Sequence, residues 1–345
     1  MKKNILYRFR STLSAHRNNL LEWFGTSSMK TKTQVCDCTT EKCESISGEN
    51  MPIINEIEKT LLQIDKGDFG KCCLCDGEVE THRLELDYKT NVCLEHFTEL
   101  ELRELEHDLE IASKVQQHLL PHTLPAIDGI QMSVLSKPAR IVGGDYYDFF
   151  YFRDSLQGVA IADVMGKGLP ASMLMSNLQA SLRILGPETE NLHDTAFRLN
   201  QLFRYNLKLI RFITLFLAAV DTKEQALHYC NAGHNPPLLW NESSKTVQLL
   251  NPTGPAIGII PEPQFTSETI QFHCGDILLL YTDGLLEARN KNGEEFGDKR
   301  IHKFIKSYHG GSANNFLNGL RNELEQWTEV IEDDLTIMVI KNNRL

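Results

Sequence analysis

Val159-Ala160-Ile161-Ala162-Asp163-Val164-Met165-Gly166-Lys167-Gly168 is the stretch on which the reading of this 345-residue chain turns. An apolar run of strand length ends on a carboxylate, and a glycine-flanked turn follows at once. The same grammar recurs three times: Gly143-Gly144-Asp145, Tyr281-Thr282-Asp283-Gly284 and Glu332-Asp333-Asp334-Leu335-Thr336. A carboxylate at a strand end is held by the sheet yet faces solvent. Several converging there make a hard, oxygen-rich site suited to Mg²⁺ or Mn²⁺. A single aspartate of this kind reads as a turn residue; four in one domain point to a metal centre.

Outward from these motifs, Val159–Ala162, Phe212–Val220, Leu227–Cys230, Ile277–Tyr281 and Leu335–Ile340 are expected strands, and Ala171–Leu185, Asp194–Leu209 and Asn314–Trp327 carry helical spacing. Strands and helices do not alternate regularly, so the fold class is α+β. The expected organisation is a weakly ordered segment over 1–50, a cysteine module over 51–100, a helical linker over 101–126 and the main domain over 127–345.

Basic residues outnumber acidic ones, eight to five, over 1–50, whereas 51–126 holds sixteen acidic against seven basic, and the net charge is −11. With no basic stripe to neutralise phosphates, nucleic acid is not an expected partner. The longest apolar runs fall far short of a bilayer span, and no apolar stretch follows the early lysines and arginines. No membrane is expected as a partner, and the expected compartment is the cytoplasm, where thiols stay reduced.

Seven ordered motifs carry a resemblance. They are Ile111-Ala112 with Val115-Gln116 and Leu119-Leu120-Pro121; Val142-Gly-Gly-Asp145-Tyr-Tyr-Asp148; Ala162-Asp163-Val164 with Gly166-Lys167-Gly168; Asn231-Ala-Gly-His234-Asn-Pro-Pro237; Thr253-Gly254-Pro255 with Gly258; Tyr281-Thr282-Asp283-Gly284; and Asp333-Asp334-Leu335-Thr336. Together they resemble the PPM, or type 2C, metal-dependent protein phosphatases of the RsbU/SpoIIE branch. The resemblance implies a β-sandwich of two antiparallel sheets flanked by helices, with two Mn²⁺ or Mg²⁺ at one edge. By motif position Asp163 bridges both ions, the Val164 carbonyl and Asp145 serve one, and Asp283 and Asp333 hold the other, with Asp334 ranked behind Asp333. The implied reaction is in-line hydrolysis of phosphoserine or phosphothreonine by metal-activated water. The implied substrate is a regulatory protein such as a STAS-type anti-sigma-factor antagonist. Arg140 is a candidate phosphate clamp, or else an exposed loop arginine. His234 could move protons, but a structural role is favoured.

Seven of the nine cysteines precede residue 94. Cys72-x2-Cys75 and Cys93-x2-His96, seventeen residues apart, suit one tetrahedral, structural Zn²⁺. The surrounding residues resemble the DksA/TraR-type zinc finger, in which a fourth cysteine stands where His96 stands here. Cys73 is a spare thiol or a stand-in for Cys72, while Cys36, Cys38 and Cys43 are read as adventitious. A helix over Ile53–Ile64 is expected to stop at Gly67. Leu102, Leu105, Leu109, Ala112, Gln116 and Leu119 are spaced like a coiled-coil seam, so the linker helix is expected to pair two protomers and to tune the enzyme, unless it simply packs on its own domain. Two competing functions remain open at this stage: a polymerase-binding regulator built on the finger, although the long acidic coiled-coil tip of such proteins is absent here, and a phosphoprotein-binding pseudophosphatase.

Overall fold

The computed structural model describes residues 6–7, 9–14, 17, 51–75, 77–152, 156–206, 212–308 and 311–344, which divide into two units, Met1–Glu104 and Leu105–Leu345. Most of the segment 1–50, with Cys36, Cys38 and Cys43, therefore lies outside the described residues.

In the first unit, helix α1 (Met51–Lys66) buries Ile54, Ile57, Leu61 and Ile64, the i, i+3, i+4 stripe of an amphipathic helix. Leu62, one step off the stripe, is exposed. The helix stops at Gly67, whose φ of +76° lies in the left-handed region that terminates helices and whose N–H bonds the Ile64 carbonyl. Beyond it come a short helix α2 (Thr81–Leu86) and a single 3₁₀ turn, Leu94–His96. Phe69, Cys72, Val79, Leu84 and Cys93 share one apolar cluster with α1 and with Leu13 of the N-terminal segment, and the Phe9 ring lies 5.1 Å from that of Phe69. The described part of 1–50 thus contributes to this core.

Helix α3 (Glu99–Leu119) covers most of the segment 101–126 read as a helical linker, and residues 120–126 follow it without helix. The second unit is a four-layer α/β/β/α sandwich. One sheet orders its strands β1-β10-β9-β6-β7 and the other β2-β3-β4-β5-β8, every neighbour pair antiparallel. The strands are β1 (Ile130–Lys137), β2 (Tyr146–Phe152), β3 (Leu156–Val164), β4 (Ile213–Asp221), β5 (Ala226–Ala232), β6 (Leu238–Asn241), β7 (Thr246–Leu249), β8 (Glu268–Gln271), β9 (Ile277–Tyr281) and β10 (Leu335–Asn342).

Side chains alternate across each strand, and here both faces are covered. Along β3, Val159 and Ile161 enter the cluster between the sheets, while Ala160, Ala162 and Val164 face α4 (Leu169–Glu188) and α5 (Leu192–Asn206). Along β10, Met338 and Ile340 point between the sheets, while Ile337 and Val339 meet α7 (Gly297–Ser307) and α8 (Ala313–Trp327). Double coverage explains why these strands read as continuous apolar runs. It also fixes register, since a one-residue slip would exchange two different buried faces. The expected α+β sandwich is the observed fold. Among the described residues, no helix is long and apolar enough to cross a membrane.

Candidate active site and metal centre

Four strand ends bring the acidic motifs to one edge of the sandwich. Tyr146 of β2 pairs with Ala162 of β3, so the next residue outward on each strand is an aspartate, Asp145 and Asp163. On the other sheet Tyr281 of β9 pairs with Ile337 of β10. Past Tyr281 the chain turns into the short helix α6 (Asp283–Leu286), which opens on Asp283, while Asp333 and Asp334 precede β10.

Thr282 joins the two sheets. It is fully buried; its hydroxyl donates to Asp145 Oδ2 at 2.7 Å and accepts from the Thr336 N–H at 2.9 Å. Asp145 is itself buried, and its Oδ1 has no hydrogen-bond partner. Burial, reinforced by the charge of Asp163, holds the Asp145 carboxyl well above the usual carboxylate range. Burial, with the charges of Asp283, Asp333 and Asp334, pushes Asp163 up to about 7. Burial and the charges of Asp333 and Glu287 push Asp283 up to about 6. Each of these three carboxyls thus lies within reach of the charge of at least one other acid at this edge. Lys167 Nζ reaches Asp333 Oδ2 at 2.7 Å and partly offsets the repulsion on Asp163 and Asp283.

Asp334, ranked behind Asp333 among the expected metal residues, is hydrogen-bonded by the loop that leads into β2. Its Oδ1 accepts the Ala139 N–H at 2.8 Å and its Oδ2 the Gly144 N–H at 2.6 Å. Both oxygens are committed to the 138–145 loop, so the side chain acts as a loop anchor. Gly143 is required there, because a Cβ would sit 2.6 Å from Asp334 Oδ2. A Cβ on Gly144 would meet the Val164 carbonyl oxygen at 2.8 Å, which places that carbonyl against the same loop. Arg140 is exposed one residue beyond the Ala139 anchor.

His234 is buried. Its Nδ1 lies 2.9 Å from Thr214 Oγ1 on β4, and its N–H donates to Asn231 Oδ1 at 2.8 Å. Burial brings the imidazole down to about 4, which keeps it neutral and suits a loop brace rather than a proton shuttle. Thr282, read only as part of a motif, and Gln116, read as a seam position of the linker helix, are placed by the structure against the acid-bearing loop, the Gln116 Nε2 donating to the Gly143 carbonyl.

The acid cluster fits divalent cations on its own chemistry: a buried carboxylate oxygen with no partner, three further carboxylates that repel each other, and a backbone carbonyl, all hard oxygen donors. The Stage II sporulation protein E (SpoIIE) family profile matches residues 154–343. The chain belongs to the SpoIIE family. Phosphoserine phosphatase RsbU of Bacillus subtilis (strain 168) is 30% identical over 243 residues, covering 69% of this chain and 71% of RsbU. The SiaA-PP2C domain of Pseudomonas aeruginosa superposes with a TM-score of 0.61 at 21% identity, over 70% of this chain and 98% of that domain. RsbX, solved in complex with magnesium, superposes with a TM-score of 0.50 at 19% identity, over 63% of this chain and 98% of RsbX. This SpoIIE-family member is a protein serine/threonine phosphatase with the PP2C fold.

A second candidate metal group lies in the first unit. One ligand atom each from Cys72, Cys75, Cys93 and His96 falls within 4.8 Å of the others. The Cys75 and Cys93 sulfurs are 3.6 Å apart, close to the edge of about 3.8 Å that a tetrahedron with Zn–S of about 2.3 Å requires. The Leu74 and Cys93 N–H groups point at Cys72 Sγ, and the Gly77 N–H points at Cys75 Sγ, each at 3.4 Å, an arrangement that favours thiolates. Cys73 stands outside the group and is exposed.

Proposed function

We propose that the chain removes phosphate from a phosphoserine or phosphothreonine of a regulatory protein, of the STAS-type anti-sigma-factor-antagonist class, at the acid cluster loaded with two Mn²⁺ or Mg²⁺. The observation that carries the reading is the buried, unpartnered Asp145 Oδ1 at an edge where Asp163, itself raised by the charges of Asp283 and Asp333, also lies. Asp163 is assigned to both cations, Asp145 and the Val164 carbonyl to one, and Asp283 and Asp333 to the other. When bound, such a pair supplies Lewis acidity toward water and phosphoryl oxygens. Around it, Thr282 fixes the Asp145 carboxylate, Asp334 fixes the loop that carries it, and neutral His234 braces the adjoining turn. Arg140 is assigned to the substrate phosphate, since a solvent-facing guanidinium on this loop can meet phosphoryl oxygens in a bidentate fork. The phosphoserine preference follows the likeness to RsbU, and the antagonist class follows the family resemblance of the motifs.

The Cys72, Cys75, Cys93 and His96 group is assigned one structural Zn²⁺, and the exposed seam of α3 is assigned to homodimer formation that tunes turnover. The catalytic reading is tested by assaying the full chain against a panel of phosphorylated candidate proteins with and without Mn²⁺. Asp163→Ala and Asp283→Ala should abolish Mn²⁺-dependent turnover with the fold retained, and near-normal activity in either variant refutes the assignment.

A further inference from the structure

Helix α3 ends in an arrangement that the metal-centre reading does not use. Gln116 is buried, its Nε2 donates to the Gly143 carbonyl at 2.6 Å, and its Oε1 accepts the Gly143 N–H at 3.1 Å. One side chain thereby takes both backbone polar groups of a single glycine. The next amide, Gly144 N–H, is taken by Asp334, and the Gly143 Cα is pressed against that same carboxylate. Residues 143–144 are clamped between Gln116 on the helix and Asp334 just ahead of β10, and the residue that follows is Asp145. Asp145 has one oxygen held by Thr282 and the other buried without a partner, so its backbone must be fixed by something outside its own side chain.

Other contacts pin the end of α3 without touching this loop. Gln179 Nε2 donates to the Leu119 carbonyl at 3.1 Å, and Tyr147 Oη donates to the Pro121 carbonyl at 3.3 Å. Gln116 is thus the contact among the described residues that ties the helix to the loop bearing an acid of the cluster. Both of its bonds are directional, and an amide pairing with a peptide satisfies donor and acceptor at once. A shift of the helix by one residue along its axis, about 1.5 Å, would break both.

We propose that Gln116 is a positioning residue for the metal centre: its two-bond clamp on Gly143 sets the placement of Asp145, and through it the affinity for the divalent cation. The proposal rests on the metal-centre reading above. It predicts a loss of metal affinity that a merely structural helix anchor would not produce.

The test is Mn²⁺ binding to the full, zinc-loaded chain by calorimetry, alongside hydrogen exchange of the Gly143 and Gly144 amides and melting in chelator. Gln116→Met keeps the side-chain length and removes both bonds. It should bind Mn²⁺ about tenfold more weakly, the effect of roughly one net hydrogen bond, and should exchange both amides faster while melting close to wild type. Gln116→Glu keeps the acceptor and sets a carboxylate against the Gly143 carbonyl; it should weaken binding at least as much, and it provides the test if Gln116→Met fails to fold. Gln179→Met, which removes an anchor of the same helix away from the loop, should leave Mn²⁺ affinity unchanged. Wild-type affinity in folded Gln116→Met and Gln116→Glu overturns the proposal, as does an equal loss in Gln179→Met. Wild-type binding no different from that of Asp163→Asn would instead overturn the metal-centre reading beneath it.

Discussion

Thr282 Oγ1 donates to Asp145 Oδ2 across the gap between the two sheets, and the same oxygen accepts the Thr336 N–H. One hydroxyl thereby fixes the relative position of strand ends that lie 137 residues apart in sequence. Thr282→Val keeps the shape and removes both bonds, leaving the Thr336 N–H and Asp145 Oδ2 without this buried partner. The expected cost is about 1–3 kcal/mol of stability. If Asp145 holds a cation as proposed, losing its outer partner should also reduce Mn²⁺-dependent turnover about 10–100-fold. Thr282→Ser keeps the hydroxyl and should stay near wild type. Melting curves with initial rates for the two variants check this, and equal behaviour of Val and Ser would show that the hydroxyl does not matter.

The acid cluster exacts a stability cost when no cation is bound. Asp163 has its carboxyl pushed from 3.8 up to about 7 in the fold, so between these values the folded state holds a proton that the unfolded state has released. Folding stability from this group is therefore present at low pH and is lost as pH rises from about 4 to about 7. In chelator, Asp163→Asn should melt close to wild type near pH 4 and above it at pH 7.5, by an amount bounded at about 4 kcal/mol. Added Mn²⁺ should raise the wild-type midpoint at pH 7.5 more than that of the variant. A melting difference that does not change with pH would show that Asp163 is not strained by its neighbours.

Much of the architecture was legible because the central strands are buried on both faces. The run Ile277–Tyr281 was read at the same bounds that β9 has, and β3, β4, β5 and β10 were found within a few residues. What escaped was patterned by distant partners. β2 is an aromatic edge strand interrupted by Asp148, a carboxylate buried by virtue of its ion pair with Arg183 on α4, 35 residues on. β7 and β8 are four-residue edge strands with mostly exposed side chains, too short and too polar to show a period. Helix α7 did carry a signal, since Ile301, Phe304 and Ile305 follow the i, i+3, i+4 rule, but it is a short stripe among charges. The acids of the site were visible from their strand-end grammar. Thr282, the anchoring role of Asp334 and the clamp by Gln116 depend on pairings across the fold, and no local pattern announces them.

The four-ligand group of the first unit leads to a separate expectation. The buried core there is small, and Cys72 and Cys93 form part of it; on the proposed zinc reading, metal binding would be coupled to its folding. Purified full-length chain, prepared as Asp163→Asn so that the acid cluster does not contribute, should carry one Zn²⁺ by native mass spectrometry. Cys72→Ser or Cys93→Ser should lose it and unfold the first unit, while the second keeps its melting transition. A zinc-free wild-type chain whose first unit stays folded in strong chelator would refute the site.

The seam of α3 divides once its surroundings are known, and the division sharpens what a dimer could use. Gln116 is buried against the Gly143 loop and Leu119 is half-buried, so the C-terminal part of the expected stripe is taken up within the second unit. Leu102 and Leu105 remain exposed and Leu109 half-exposed, a stripe of about one heptad with Leu100, Ile111 and Val115 uncovered beside it. So short a seam gives only marginal pairing on its own. A marginal equilibrium is what a regulator can move, since a few kcal/mol of differential binding shifts it from one state to the other. Because the same helix carries Gln116, pairing at Leu105 would bear on the loop that holds Asp145. Leu105→Glu with Leu109→Glu should convert a dimer into a monomer by light scattering and change turnover at fixed Mn²⁺. The bland alternative, a helix whose exposed leucines pair with nothing, predicts the monomer mass for both proteins and equal rates, and that pair of results would end the dimer reading.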